Sequence, residues 1–258
     1  MSSIPKTIIQ TGKQKSDINQ YSTEWIQKNP DYNYIFFDDD DCRKFLQDNF
    51  DPEVALSFDC LKPGAFKADL FRYAYLYIKG GVYIDLDCAP VVTLSEIVPC
   101  DFDFISVSER RNIRGIYQAF IACTPRCEFL LKAVKMIVNN CKTAYYPNVE
   151  SEDIWVDILS ITGPVLLCTA VNGIHRPGIH LYDGKRILFY ILNDSNYIED
   201  LNGKKIIVSK TEDAPEGNYA DFFKKKQVYN SGIFTQQWRA EHSLTKLNIV
   251  CNRPETER

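Results

Sequence analysis

Apolar positions along this chain follow two rhythms, one of about two residues and one of three to four, and the two exchange in order. Residues 6–10 read as a short buried strand, and a polar loop through Gly12 follows. Ile18, Tyr21, Trp25 and Ile26 then fall at helical spacing. Asn29-Pro30-Asp31 is turn chemistry, and residues 32–37 are rich in the aromatic and β-branched types that suit a second strand. Four acids, Asp38 to Asp41, come just ahead of Phe45 and Leu46. Negative charge there favours the start of a helix, whose first turn has unpaired amides and the positive end of the dipole. That capping role accounts for the acidic run more simply than a metal site does.

Pro63-Gly64 opens a long helix over about 65–79, apolar on most sides through Leu70, Phe71, Ala74, Tyr75 and Ile78. Such a helix is expected to lie buried against a sheet. Gly80 and Gly81 end it, and a strand over 82–87 leaves at once. Further strands are expected over 102–107, 116–122, 187–190 and 206–209, with helices over about 128–140, 152–160 and 165–172. Strands alternating with helices predict an α/β fold with a largely parallel sheet. Neither an internal repeat nor a low-complexity linker divides the chain, so one domain over 1–258 is expected, and the part from Asn193 onward is the hardest to read.

Bulk properties narrow the function. The 258 residues are 45% apolar and 25% charged, enough for a sizeable core. The net charge of -4 and the lack of a long basic stripe leave no source for nucleic-acid affinity. Lys224, Lys225 and Lys226 read as a solvated patch. Nine Cys without a Cys-x-x-Cys spacing signal neither zinc nor a disulfide framework. The first residues carry no signal-peptide pattern and no stretch is apolar for long enough to span a bilayer, so a cytoplasmic location is expected.

The informative segment runs from Lys67-Ala68-Asp69-Leu70-Phe71-Arg72-Tyr73 to Gly80-Gly81-Val82-Tyr83-Ile84-Asp85-Leu86-Asp87. On an extended chain Asp85 and Asp87 point to one face while Leu86 enters the other. Two carboxylates on one face repel, and a hard cation such as Mn²⁺ or Mg²⁺ resolves this while keeping positions open for substrate phosphate. Asp69 and Arg72, three apart on the helix, share a face, where Arg72 suits a phosphate and Asp69 a sugar hydroxyl. Each piece alone is usually a solvated strand end or a surface ion pair. Their conjunction is much more specific.

These residues resemble glycosyltransferase family 32, sugar transferases with an Asp-x-Asp motif that include Golgi mannosyltransferases and bacterial capsule enzymes; glucosylating bacterial toxins share a similar core. The likeness runs from Ile4-Pro5-Lys6-Thr7-Ile8-Ile9-Gln10-Thr11 through Asn29-Pro30-Asp31-Tyr32 and Phe37-Asp38-Asp39 to the 69–87 block, and reaches Thr162-Gly163-Pro164. It is strong over roughly the first ninety residues and patchy afterwards. The resemblance implies a GT-A fold with a donor half over about 1–110 and an acceptor half over about 111–258. It implies transfer of a hexose, with retention, from a UDP- or GDP-sugar to a glycan, protein or other hydroxyl acceptor. By that likeness Asp85 and Asp87 engage the metal and diphosphate, and Asp69, Arg72 and Asp87 serve the reacting centre. Asp69 and Arg72 hold the donor sugar, Tyr83 sits against the nucleotide, Ile9 and Gln10 lie near the base, and Trp238 either closes over the donor or is a plain core tryptophan. The family often has an Asn and a His in the segment matching 118–127, where this chain has Gln118 and Cys127. In place of a His-rich stretch it has Tyr229-Asn230-Ser231 before Trp238. Two other classes stay in view: a metal-dependent phosphohydrolase, for which no Gly-rich phosphate loop is present, and a non-catalytic sugar- or Ca²⁺-binding module.

Overall fold

In the first strand, β1 (Thr7–Thr11), Ile8 and Ile9 are both fully buried, yet they belong to two different apolar clusters. Successive strand residues face opposite sides, so this split marks a sheet covered on both faces. Val82 and Tyr83 divide in the same way, as do Phe104 and Ile105.

The computed structural model describes residues 3–109, 114–147, 154–210, 219–235 and 238. After β1 come α1 (Gln20–Lys28), β2 (Asn33–Phe37), α2 (Asp39–Asn49), α3 (Pro52–Cys60), α4 (Gly64–Lys79), β3 (Gly81–Ile84), β4 (Cys88–Pro90) and α5 (Leu94–Ile97). The chain continues through β5 (Phe104–Ser108), β6 (Ile116–Cys123), α6 (Glu128–Thr143), α7 (Ile154–Leu159) and α8 (Pro164–Ala170). The described remainder holds β7 (Gly178–Tyr182), β8 (Lys185–Leu192), β9 (Tyr197–Glu199), β10 (Lys205–Ser209) and α9 (Tyr219–Lys224). The expected helix start at 152–153 lies outside the described residues.

The α/β class and the main helices match expectation, and Asp38 caps α2 by accepting from the Asp41 amide at 3.0 Å, as the acidic run implied. The sheet does not match, because it is mixed rather than largely parallel. Strand β1 runs parallel to β2 and β3, and β5 to β8, whereas β3–β6, β5–β6, β7–β8, β8–β9, β9–β10 and β10–β4 are antiparallel. Parallel neighbours need helical crossovers, but the later strands are joined by short turns. Asp183-Gly184, both at positive φ, close the β7–β8 hairpin in two residues.

The strand order is β2-β1-β3-β6-β5-β8-β9-β10-β4, with β7 beside β8. Strands β3 and β4 are therefore six places apart in the sheet, roughly 29 Å if it were flat. Only residues 85–87 connect them, and four residue steps reach at most roughly 14 Å. The sheet must curl until its last strand nears its centre. A 2.8 Å hydrogen bond between the Tyr117 hydroxyl on β6 and Ser209 Oγ on β10 crosses that curl. Residues 85–87 thus sit where the two parts of the sheet meet.

Candidate active site

Residues 85–87 form a turn and not, as expected, the end of an extended strand. Strand β3 stops at Ile84, and the Cys88 amide donates to Asp85 O at 3.1 Å. Leu86 accordingly stays half-exposed. The reason lies in bonds from distant parts of the chain, which take up every main-chain carbonyl of the turn. Gln10 Nε2 donates to Asp85 O at 3.2 Å, Asn19 Nδ2 to Leu86 O at 2.9 Å and the Lys210 amide to Asp87 O at 2.7 Å. Trp25 Nε1 donates to Cys88 O at 2.7 Å, and the Asp85 amide donates to Ala119 O at 2.9 Å. Asn19 is also the N-cap of α1, its Oδ1 accepting from the Tyr21 and Ser22 amides. One side chain therefore starts a helix and holds the acidic turn.

Helix α4 carries Asp69 and Arg72 on one face, as the spacing predicted, and both are buried at 3% exposure. Arg72 uses its forked donors fully. Nε reaches Ala68 O at 3.2 Å, Nη1 reaches Gln118 O at 2.7 Å, and Nη2 lies 3.1 Å from Asp85 Oδ1 and 3.4 Å from Asp69 Oδ1. The guanidinium also stacks 4.3 Å from the Tyr83 ring centroid. The Tyr83 hydroxyl donates to Asp85 Oδ1 at 2.8 Å and lies 3.0 Å from Thr11 Oγ1. Burial raises the Tyr83 phenol well above its usual value, so it stays a donor.

Asp69 faces inward. Thr162 Oγ1 donates to its Oδ2 at 2.7 Å and Gln118 Nε2 donates to its Oδ1. Burial pushes its carboxyl up to about 7, against the pull of Arg72 and of the Thr162 hydrogen bond. For Arg72, burial works against the charged form, but the carboxylates of Asp85 and, after it, Asp69 outweigh it and hold the guanidinium protonated.

The two motif carboxylates have different surroundings. Asp85 is 30% exposed and ion-paired to Arg72. Asp87, also half-exposed, accepts a weak thiol contact from Cys88 at 3.8 Å. Its carboxyl is pushed up to about 6, first by burial and then by the neighbouring Asp85 charge. That leaves negative charge short of a counter-charge, which a cation relieves. Among the described residues no group of three or more His, Cys, Asp or Glu offers a metal cage. Two hard oxygen donors of this kind fit Mn²⁺ or Mg²⁺, which accept water and phosphate oxygens for their remaining positions.

Other expected residues sit differently. Ile9 and Gln10 have no exposed surface. Ile9 packs in the core beside Tyr83, and Gln10 accepts from the Tyr34 hydroxyl at 2.9 Å while holding Asp85 O, so these side chains support the turn from behind. Trp238 packs edge-on to Phe234 at 4.7 Å between centroids, with Lys142 Nζ over its ring at 5.1 Å. Sequence reasoning gave no site role to Gln118, Tyr73, Asn19 or Trp25, which join this network. Thr162 carried a signal as the first residue of Thr162-Gly163-Pro164.

The acidic turn, its helix and the capping residue of α1 all fall within one recognisable region. Residues 15–106 match the family model described as glycosyltransferase sugar-binding region containing DXD motif. An uncharacterised glycosyltransferase of Acanthamoeba polyphaga mimivirus is 36% identical over 110 residues, 43% of this chain and 44% of that protein. A mannosyl phosphorylinositol ceramide synthase of Saccharomyces cerevisiae is 31% identical over 168 residues, 64% of this chain and 41% of that protein. The chain thus spans less than half the length of these two relatives. Among solved structures, the PaToxG glycosyltransferase aligns with a TM-score of 0.49 and 17% identity, covering 66% of this chain and 69% of that one.

Proposed function

We propose that this chain is a metal-dependent retaining glycosyltransferase that moves a hexose from a nucleotide diphosphate sugar to a hydroxyl acceptor on a glycan or protein. The observation that carries this is the acidic turn itself: Asp85 fixed by Arg72 and Tyr83, with Asp87 half-exposed beside it and short of positive charge. Mn²⁺ or Mg²⁺ bound by Asp85 and Asp87 would supply positive charge to the departing diphosphate. The protein's own part is to hold that pair in place before reaction, which costs no reorganisation when charge develops. Arg72 and Tyr83 orient the Asp85 carboxylate, and Gln10, Asn19, Trp25 and the Lys210 amide fix the turn beneath it.

The donor is read as a UDP- or GDP-sugar, and the mannosyl name of the yeast relative makes mannose the first hexose to test. One catalytic domain, with a donor half over 1–110 and an acceptor half over 111–258, is supported by a sheet that draws strands from both. No helix among the described residues is long and apolar enough to cross a membrane. A cytoplasmic setting is part of this proposal.

The test is incubation with a panel of UDP- and GDP-hexoses, with Mn²⁺, Mg²⁺ or chelator, following free sugar and nucleoside diphosphate. Metal-dependent release of both is expected, and loss of release in folded Asp85→Asn and Asp87→Asn. Release of sugar phosphate or inorganic phosphate instead would identify a phosphohydrolase. Binding without turnover would identify a sugar- or Ca²⁺-binding module.

A further inference from the structure

Strand β6 is irregular where it passes the acidic turn. Its register against β5 jumps from Ile105↔Ala122 to Val107↔Tyr117, so the stretch containing Gln118 bulges. Ser106 Oγ fills the gap, donating to Tyr117 O at 3.2 Å and Phe120 O at 3.1 Å. A bulge re-aims the side chains it carries, and this one turns Gln118 inward to 8% exposure.

Every hydrogen-bonding end of Gln118 described above meets the network around the turn. Its Nε2 donates to Asp69 Oδ1, and its Oε1 accepts from the Tyr73 hydroxyl, which also lies 3.2 Å from Thr162 O. Its main-chain oxygen accepts from Arg72 Nη1 at 2.7 Å, and the next carbonyl, Ala119 O, accepts from the Asp85 amide. Because Tyr73 donates to one end of the side-chain amide and the ionised Asp69 carboxylate can only accept from the other, the amide has one orientation while Asp69 carries its charge. Asp69 and Gln118 O together then leave Arg72 a single way to fork toward Asp85.

Resting on the donor-site reading above, we propose that Gln118 is a positioning residue for the acidic turn: through Asp69 and Arg72 it fixes the direction in which Asp85 presents its carboxylate to a divalent cation and nucleoside diphosphate. Its side-chain hydrogen bonds go to Asp69 and Tyr73 and not to Asp85 or Asp87, so it acts through Arg72. Groups that orient metal ligands in this indirect way are worth about 10- to 100-fold in metal affinity or activity.

The experiment measures the Mn²⁺ concentration giving half of the thermal stabilisation produced by Mn²⁺ with UDP or with GDP. The proteins are the full chain and its Gln118→Leu and Tyr73→Phe variants. Leucine keeps the approximate volume of Gln118 and removes both side-chain hydrogen bonds. Phenylalanine leaves Gln118 in place and removes the donor that orients it. Half-saturation is expected to rise about tenfold in Gln118→Leu, and by less in the same direction in Tyr73→Phe. A merely structural role lowers the unfolding temperature and leaves half-saturation alone, and if Gln118→Leu does not fold, Tyr73→Phe decides. Folded variants whose half-saturation stays within about twofold of the parent overturn the role of Gln118 while leaving the donor site standing. A parent that gives no Mn²⁺-dependent shift with either nucleotide removes the donor-site reading and this inference with it.

Discussion

Thr162 Oγ1 donates a 2.7 Å hydrogen bond to Asp69 Oδ2, joining positions 93 residues apart in the chain. Through it the loop that precedes α8 is tied to α4, and through Asp69 to Arg72 and the acidic turn. Thr162→Val keeps the shape and removes the donor, leaving a buried carboxylate oxygen short of a partner. The expected loss is about 1–3 kcal/mol of unfolding free energy, measured by urea denaturation, with Thr162→Ser restoring most of it. A Thr162→Val protein as stable as the parent would show that this bond does not tie the two segments.

The same carboxylate gives stability a pH dependence. Burial pushes the Asp69 carboxyl up to about 7 from an ordinary value of 3.8. Between those values the folded protein holds a proton that the unfolded chain has lost. The stabilising contribution of this group is therefore complete below about pH 4 and is lost as pH rises through about 7. Asp69→Asn cannot ionise and lacks this component. The stability of the parent minus that of Asp69→Asn is expected to fall between pH 4 and 7 and to level off above, as denaturant unfolding at several pH values would show. Parallel curves for the two proteins would refute it.

Asp87 has the opposite consequence for metal binding. Burial and the Asp85 charge push its carboxyl up to about 6, and only the ionised form is a good ligand. Mn²⁺ affinity is expected to weaken as pH falls through about 6, more steeply in the parent than in Asp87→Asn, whose affinity is low throughout. Calorimetric titration at about pH 5, 6 and 7, one unit to either side of that value and at it, would measure this. An affinity that does not change over this range would mean that Asp87 is not a ligand.

Trp25 tests the support beneath the turn. Trp25→Phe keeps an aromatic ring in the core and removes the 2.7 Å bond to Cys88 O. A loss of about 1–3 kcal/mol is expected from the unpaired carbonyl, with a weaker Mn²⁺ response at temperatures where the variant is fully folded. Stability lost with no change in the Mn²⁺ response would confine Trp25 to packing.

Much of this was legible from local pattern. The boundaries of α4 follow from Pro63, its apolar surface and the φ of +66° at Gly80, where an added Cβ would lie 2.8 Å from Cys123 O. Asp69 with Arg72, and Asp85 with Asp87, follow from spacing. The turn at 85–87 was not legible, because alternation of Asp, Leu and Asp also describes a strand, and the bonds that bend it come from Gln10, Asn19 and Lys210. Gln118 and Thr162 stood out in the sequence, but their partners did not, because these lie 49 and 93 positions away. The hairpin at Asp183-Gly184 and the helix starting at Pro52 were different. Their local signals were present, and reading them would have predicted antiparallel pairing and α3.

The pairing of β4 with β10 sets Cys88 against Ser209 and Pro90 against Ile207, and this has a consequence for how the molecule matures. Long-range pairings form slowly, after the intervening chain has been made and ordered. A ribosome would have finished the whole Asp-x-Asp stretch well before the segment that anchors it emerged. During synthesis the motif would exist as letters long before it existed as a shape, because the Lys210 amide that holds Asp87 O follows the tenth strand.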